Sequence, residues 1–307
     1  MEKIFIAIAS FRDYELPHTI LDLISKAENP QRLVFSVVHQ FDEEPETNEN
    51  CINHLLGKYP IHLELHHWTE SRGGCWARNI AQKYYANERY ALQIDSHTRV
   101  IKHWDSVLIR NIENLRNISP KPIISYLSPS YSRNDEYGID YLFSNIFDMD
   151  KIQIPKIKNI TSQYWIEYGG YENEQRTGYK NVRVPVLYGG FIFSDGQWVV
   201  EVEQDPLHYY TGEEFALAVR SYTKGYDIYT PDRIVSWHRA HNEPNKKHFT
   251  VLPPEFGQYR HKVAMERLRR LFEGGDLGKY GLGTHRTLDE YEQFSGIDFK
   301  NKQIKTL

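Results

Sequence analysis

Two cysteines in 307 residues, Cys51 and Cys75, are too few for a disulfide framework and fit a reducing compartment, so a cytoplasmic protein is expected. No stretch approaches the ~20 consecutive apolar residues of a membrane span. The apolar run near the N-terminus, 4–9, is too short for a signal-peptide core and meets Arg12 and Asp13 at once. Basic residues are not in excess. The 37 Lys and Arg stand against 41 Asp and Glu, a net charge of −4, so no polybasic surface for nucleic acid or anionic lipid is indicated. No segment rich in Pro, Gly or Ser marks a linker, and there is no internal repeat. Aromatic residues are plentiful, with 22 tyrosines and 6 tryptophans. Rings with a polar tip serve equally in a core, at a rim or stacked on a sugar. Apolar residues make up 40%, enough to fill one large α/β domain or two small ones.

Residues 4–9 read as a strand. Pro17 then opens a helix with Ile20, Leu23, Ile24 and Ala27 on one face, and 33–38 is the next strand. Strand, helix, strand is the start of a parallel doubly wound sheet. The acidic stretch 41–50 reads as a solvated loop. A third strand follows at 61–66, and its adjacent His66 and His67 point to opposite faces, so they read as ordinary surface residues. Gly73-Gly74 permits a tight turn before a helix carrying Ala77, Ile80, Ala81, Tyr84 and Tyr85. That helix N-terminus can face phosphate, with Arg72 or Arg78 as counter-charge. Cys75 reads as a packed residue, because no base is placed for it in sequence.

The segment 90–99, Tyr-Ala-Leu-Gln-Ile-Asp-Ser-His-Thr-Arg, organises the rest. Its apolar run is a buried strand that stops at Asp95 and His97. On extended chain the i, i+2 spacing puts both side chains on one face, at the carboxyl end of a strand where α/β sheets bind ligands. A hard oxygen beside a neutral nitrogen suits Mn²⁺ or another borderline divalent ion, which can grip a diphosphate. The alternative is a helix N-cap at Asp95 or Ser96 beside a solvated His97.

Beyond it come a helix at 103–117 and a strand at 123–127. Residues 128–185 are expected to form an irregular excursion over the carboxyl edge of the sheet, where acceptor contacts often lie. A strand returns at 186–193, in which Gly189 and Gly190 bring the backbone close to a ligand or another strand. Glu213 and Glu214 open a helix that Gly225 closes. Adjacent helical residues point about 100° apart, so the two carboxylates have different jobs. His238, at a later strand end, is a candidate third metal ligand. The helix at 258–272 places Ala264, Leu268, Leu271 and Phe272 inward and its arginines in solvent. The tail 280–291 carries another short helix.

Several ordered stretches resemble one family. Ile6-Ala7-Ile8-Ala9-Ser10-Phe11-Arg12-Asp13 is similar to its opening strand. Ser71-Arg72-Gly73-Gly74-Cys75-Trp76-Ala77-Arg78 resembles its Arg-Gly-x-Cys-Trp-Ala-Arg signature. Leu92-Gln93-Ile94-Asp95-Ser96-His97 resembles its Gln-Ile-Asp-Ser-His element, Gly212-Glu213-Glu214 its Gly-Glu-Glu, and the 280–291 tail is similar too. The family is that of the Skp1-type (hydroxyproline) polypeptide N-acetylglucosaminyltransferases and their bacterial relatives, and the resemblance spans nearly the whole chain. It implies an α/β fold of GT-A type, a Rossmann-like, mostly parallel sheet flanked by helices. The glycosyltransferase domain would cover 1–240 and a C-terminal helical extension 241–307. It also implies a UDP-sugar donor carrying GlcNAc, a hydroxyl acceptor on protein or glycan, Mn²⁺ or Mg²⁺, and retention at the anomeric carbon. Asp95, His97 and His238 would then bind metal. Ala9, Ser10, Arg12 and Gln93 would line the nucleotide end, with Arg72, Gly73, Arg78 and Ser96 beside the uridine or diphosphate. Gly189 and Gly190 would leave room for the donor sugar, and Glu213 or Glu214 would bind sugar or acceptor hydroxyls. Two rival readings are a non-catalytic carbohydrate- or nucleotide-binding protein and a metal-dependent nucleotide-sugar phosphohydrolase.

Overall fold

The apolar runs of the N-terminal half become the middle of a seven-stranded sheet. A computed structural model describes residues 1–134, 139–142, 152–174, 180–239 and 248–305. Strands β1 (Ile4–Phe11), β2 (Leu33–Phe41), β3 (Ile61–His67) and β4 (Tyr90–Asp95) are all parallel. The sheet is completed by β6 (Pro122–Ser125), β11 (Phe191–Asp195) and β12 (Asp227–Tyr229), in the order β12-β6-β11-β4-β1-β2-β3. Only β11 runs against its neighbours β4 and β6, so the sheet is mixed but mostly parallel.

Alternation along β1 explains why both faces are covered. Ile4, Ile6 and Ile8 pack with Ile20 and Leu23 of α1 (Leu16–Lys26) and with Trp104 and Leu108 of α3 (Trp104–Leu115). Phe5 and Ala7 face the other way, toward Ala77 and Ala81 of α2 (Gly74–Gln82) and Leu217 and Ala218 of α5 (Glu213–Thr223). The short α4 (Gln197–Glu201) adds Trp198 and Val199 to that side.

A second sheet sits beside the carboxyl end of β4. It comprises β5 (Thr98–Val100), β13 (Ser236–Arg239), β7 (Ser130–Asn134) and β8 (Ile139–Leu142). β9 (Ile152–Ile160) and β10 (Ile166–Glu174) form a separate antiparallel hairpin within the segment expected to be irregular. Parts of that excursion, and the expected boundary at 240/241, lie outside the described residues. After α6 (His248–Val251), α7 (Pro254–Phe272) lays Ala264, Leu268, Leu271 and Phe272 on Phe215 and Val219 of α5. Tyr291 of α8 (Leu288–Ser295) joins the same cluster, and β14 (Ile297–Asp298) pairs with β15 (Gln303–Ile304).

Three expectations need correction. The acidic stretch after β2 is not wholly solvated, because Asp42 is buried and binds Arg12 and Thr47. The strand expected from 186 begins only at Phe191, since Gly189 and Gly190 form a turn closed by the Phe191 N–H donating to the Tyr188 carbonyl. The arginines of α7 do not all face solvent. Arg269 does, paired with Glu266 and Glu273, but Arg267 turns inward onto the buried Asp205.

Buried histidines make stability depend on pH. His208 and His248 are almost fully enclosed, and burial pushes both imidazoles down to about 4. His39 is lowered for the same reason. A depressed folded-state pKa means that the unfolded chain binds more protons between 6.5 and 4, so stability is full above 6.5 and drains as pH falls. His208 and His248 can each remove about 3 kcal/mol by the acid end of that window. Thermal melts are expected to show the midpoint falling steadily from pH 7 to pH 4.5, and a flat profile there would contradict the burial of these rings.

Candidate active site

The centre of the site is a change of sheet. β4 delivers Asp95 at the carboxyl edge of the large sheet, opposite Ala9 of β1. The chain bends at Ser96 and His97 and enters the small sheet at Thr98. Thr19 of α1 fastens the bend, its hydroxyl donating to the Ser96 carbonyl at 2.6 Å and accepting from the Thr98 N–H at 3.0 Å. Asp95 and His97 therefore meet through a bend and not as two residues of one extended strand. β13 brings the third partner from far along the chain. His238 lies opposite Thr98, and the Arg239 N–H donates to the His97 carbonyl at 2.9 Å.

The result is a cluster in which one ligand atom each from Asp95, His97 and His238 all lie within 4.8 Å of one another. His238 Nε2 is 3.2 Å from Asp95 Oδ2, and the two imidazole rings stand edge to face with centroids 4.5 Å apart. His97 Nδ1 is 2.6 Å from Asp13 Oδ2. Burial opposes charge on Asp95, yet His238, Arg78 and His97 outweigh it and hold the carboxyl well below its usual range. Burial likewise opposes the His97 cation, and Asp13 outweighs it, so its pKa is raised.

Arg78 of α2 ties this cluster to α5. It donates from Nη2 to Asp95 Oδ1 at 2.8 Å and from Nη1 to Glu213 Oε1 at 2.9 Å. The Cys75 thiol donates to Glu213 as well, and burial together with that carboxylate pushes the thiol far above its ordinary pKa. Cys75 is thus a packed thiol, as the sequence suggested. Glu214 points elsewhere. Its Oε1 accepts the Gly189 N–H at 2.7 Å, and burial followed by the Glu213 charge raises its pKa to about 7. The two neighbouring carboxylates do have different surroundings.

Gly189 and Gly190 are glycines for a close-packing reason. A Cβ at Gly190 would lie 2.7 Å from Asp95 Oδ2, and one at Gly189 would lie 2.9 Å from Arg78 Nη1. The space they leave is filled by those two side chains.

The expected nucleotide residues divide into two groups. Ala9 and Ser10 lie near the end of β1 beside Asp95, and the buried Ser10 hydroxyl has no hydrogen-bond partner among the described residues. Arg12, in the left-handed region at φ 50°, donates to Asp42 at 2.6 Å and lays its guanidinium 4.9 Å from the Trp68 ring centre. Arg72 is exposed near Trp76, and Gly73, at φ 100°, is the N-cap of α2. Gln93, Ser96 and Arg78 behave differently from expectation. Gln93 donates to the Gly189 carbonyl at 2.7 Å and accepts from Gln204 at 2.9 Å, so its amide braces the glycine turn. The buried Ser96 hydroxyl donates to Asp13. Arg78 is enclosed between two carboxylates, which satisfy its charge before any phosphate does. Asp13, Asp42 and Trp68 were not singled out from the sequence. Asp13 appears there only as the carboxylate just past the first strand, and Asp42 only as part of the acidic stretch.

A mostly parallel Rossmann-like sheet with an Asp-x-His at its edge and a smaller sheet alongside is the GT-A glycosyltransferase architecture. Two solved structures share it. GalNAc-T7 with UDP, GalNAc and Mn²⁺ matches with a TM-score of 0.61 at 12% identity, over 95% of this chain and 56% of that one. S. aureus TarS 1-349 in complex with UDP-GlcNAc matches with a TM-score of 0.51 at 12% identity, over 98% of this chain and 72% of that one. The chain thus spans little more than half the length of GalNAc-T7. No curated protein matches. The family model described as Glycosyltransferase (GlcNAc) matches residues 3–59 and 52–274. The chain belongs to that family.

Proposed function

We propose that the protein is a metal-dependent, retaining glycosyltransferase that moves GlcNAc from UDP-GlcNAc to a hydroxyl group on a protein or glycan. Within the family we place it with the Skp1-type enzymes and their bacterial relatives, on the motifs quoted above. The observation that carries the reading is the convergence of Asp95, His97 and His238 next to the Arg78–Glu213 pair. One carboxylate and two imidazoles fit Mn²⁺ well, and Mg²⁺ less well because it prefers oxygen. Bound there, the ion would neutralise the diphosphate as the glycosidic bond breaks.

This chain's residues supply the rest. Asp95 stays ionised at neutral pH, so its oxygens need no deprotonation before binding a cation. Ala9, Ser10, Arg12 and Trp68 form the nucleotide end, where the buried Ser10 hydroxyl, without a partner among the described residues, and the Arg12–Trp68 stack suit a nucleoside. Arg72 and the first turn of α2 provide positive potential at the Gly73 turn. Glu214 is the better candidate for binding a sugar or acceptor hydroxyl. Glu213 is already engaged by Arg78 and Cys75, whereas Glu214 spends one oxygen on Gly189 and titrates near neutrality. In this reading residues 1–240 are the catalytic domain and 241–307 the extension, whose α7 packs on α5 of that domain. Among the described residues no helix is long and apolar enough to cross a membrane. The cytoplasmic placement rests on the two free cysteines.

The test is UDP release from UDP-GlcNAc, UDP-GalNAc, UDP-Glc and UDP-Gal, with Mn²⁺ and with EDTA. Consumption of UDP-GlcNAc above the others is expected, lost in EDTA and restored by Mn²⁺. Donor binding without turnover would make the protein a binding module. Release of sugar phosphate from many donors would make it a phosphohydrolase.

A further inference from the structure

We infer that Asp13 is a positioning residue, which fixes the tautomer of His97 and so aims its Nε2 lone pair at the cation site. The inference rests on the metal reading above. β1 ends at Phe11, and the left-handed Arg12 turns the chain so that Asp13, 4% exposed, points inward. Its Oδ1 accepts the Glu15 N–H at 3.0 Å. Its Oδ2 accepts the Ser96 hydroxyl and lies 2.6 Å from His97 Nδ1. A carboxylate oxygen can only accept, so the ring proton belongs on Nδ1 and Nε2 is left as a donor to a metal. The Ser96 hydroxyl sits 3.5 Å from the same nitrogen and is a poor substitute.

The anchor is itself held. Glu15 is buried and paired with Arg99 of β5 and Arg239 of β13, the residue after His238, and Tyr131 donates to it at 3.2 Å. The short segment from Asp13 to Glu15 therefore grips β13, which carries His238, and β5, which follows directly on His97. Asp13 sets which nitrogen of His97 carries the proton, and Glu15 holds the strands that set where the ring lies.

Asparagine distinguishes positioning from mere packing. In Asp13→Asn the amide oxygen can keep the Glu15 N–H, which turns the NH₂ toward His97. An NH₂ can only donate, so the ring must present a bare Nδ1 and carry its proton on Nε2. A wrong tautomer made this way costs function while leaving the geometry intact. Two readouts are proposed on protein shown to be folded by circular dichroism. Long-range nitrogen–proton NMR of the metal-free protein, taken at alkaline pH where the ring is neutral, is expected to show His97 as Nδ1–H in the wild type and as Nε2–H in Asp13→Asn. Calorimetric titration with Mn²⁺ alone is expected to show affinity weakened about 10- to 100-fold in Asp13→Asn. Asp13→Ala, which removes both acceptors, should give mixed tautomers and a similar loss. A wild-type His97 already in the Nε2–H form, or Mn²⁺ affinity unchanged in both variants, would overturn the assignment of Asp13 alone. Failure of the wild type to bind Mn²⁺ would overturn the metal reading and this inference with it.

Discussion

Asp95→Asn is expected to lower sugar transfer by about 10³-fold or more and to abolish the response to added Mn²⁺. The substitution keeps the shape of the side chain. Its amide oxygen can still accept from Arg78, and its NH₂ can still meet His238, so the bend after β4 survives. What disappears is the negative charge that His238, Arg78 and His97 together stabilise in the native site. A cation held by two neutral imidazoles and an amide loses its only charge-compensating protein ligand, and with it the leaving diphosphate loses its counter-charge. The measurement is UDP release across a Mn²⁺ titration, with the melting midpoint taken in EDTA so that folding is scored without metal. Turnover within tenfold of wild type at saturating Mn²⁺ would remove Asp95 from the site. His238→Ala should fall in the same direction by less, because it takes away one neutral donor.

What the sequence makes legible of the fold and of the candidate site shares one property. β1, β2 and β4 are buried on both faces, so they appear as unbroken apolar runs, and the large sheet follows from them. Asp95 and His97 sit two residues apart, so their partnership is local. His238 could be named only as a strand-end histidine. Its place beside His97 depends on the register of β13 on β5, which no short window contains. The failures are of the same kind. Arg78 meets Asp95 across 17 residues and Glu213 across 135, so a side chain that looked free for phosphate is in fact satisfied inside the protein. Asp42 sat in an acidic run that looked solvated, and its burial depends on Arg12, 30 residues earlier. Gly189 and Gly190 correctly signalled a close approach, but the neighbours are Asp95 and Arg78 themselves. Gln93 pointed to the site by position while its amide went to Gly189 and Gln204. In each case charge or hydrogen-bonding capacity is settled by a partner the local sequence cannot show.

Arg78→Met should be the most destabilising single change at the site, by about 3–5 kcal/mol, the usual cost of leaving buried charge without its partner. For a chain of this size that corresponds to a drop of roughly 5–8 °C in the melting midpoint. Methionine fills much of the volume, so the loss is electrostatic. The side chains of Arg78, Asp95 and Glu213 are only 11%, 24% and 12% exposed, and water cannot replace the guanidinium. Asp95 and Glu213 would then keep their two carboxylates close together with the cation between them gone. Lysine should recover only part of the stability, because a single ammonium cannot span two carboxylates that a planar guanidinium reaches with separate nitrogens. The metal response separates this role from Asp95's. Taking a positive charge from beside the cation site should tighten Mn²⁺ binding while turnover falls by about 10²-fold, since the Asp95 and Glu213 carboxylates are no longer held apart in their native positions. Mn²⁺ should also restore part of the lost melting temperature, because a ligand bound only by the folded chain stabilises it. Equal stability of Arg78→Met and wild type in EDTA, or weaker Mn²⁺ binding in the variant, would show that Arg78 is not the strut between α2, β4 and α5.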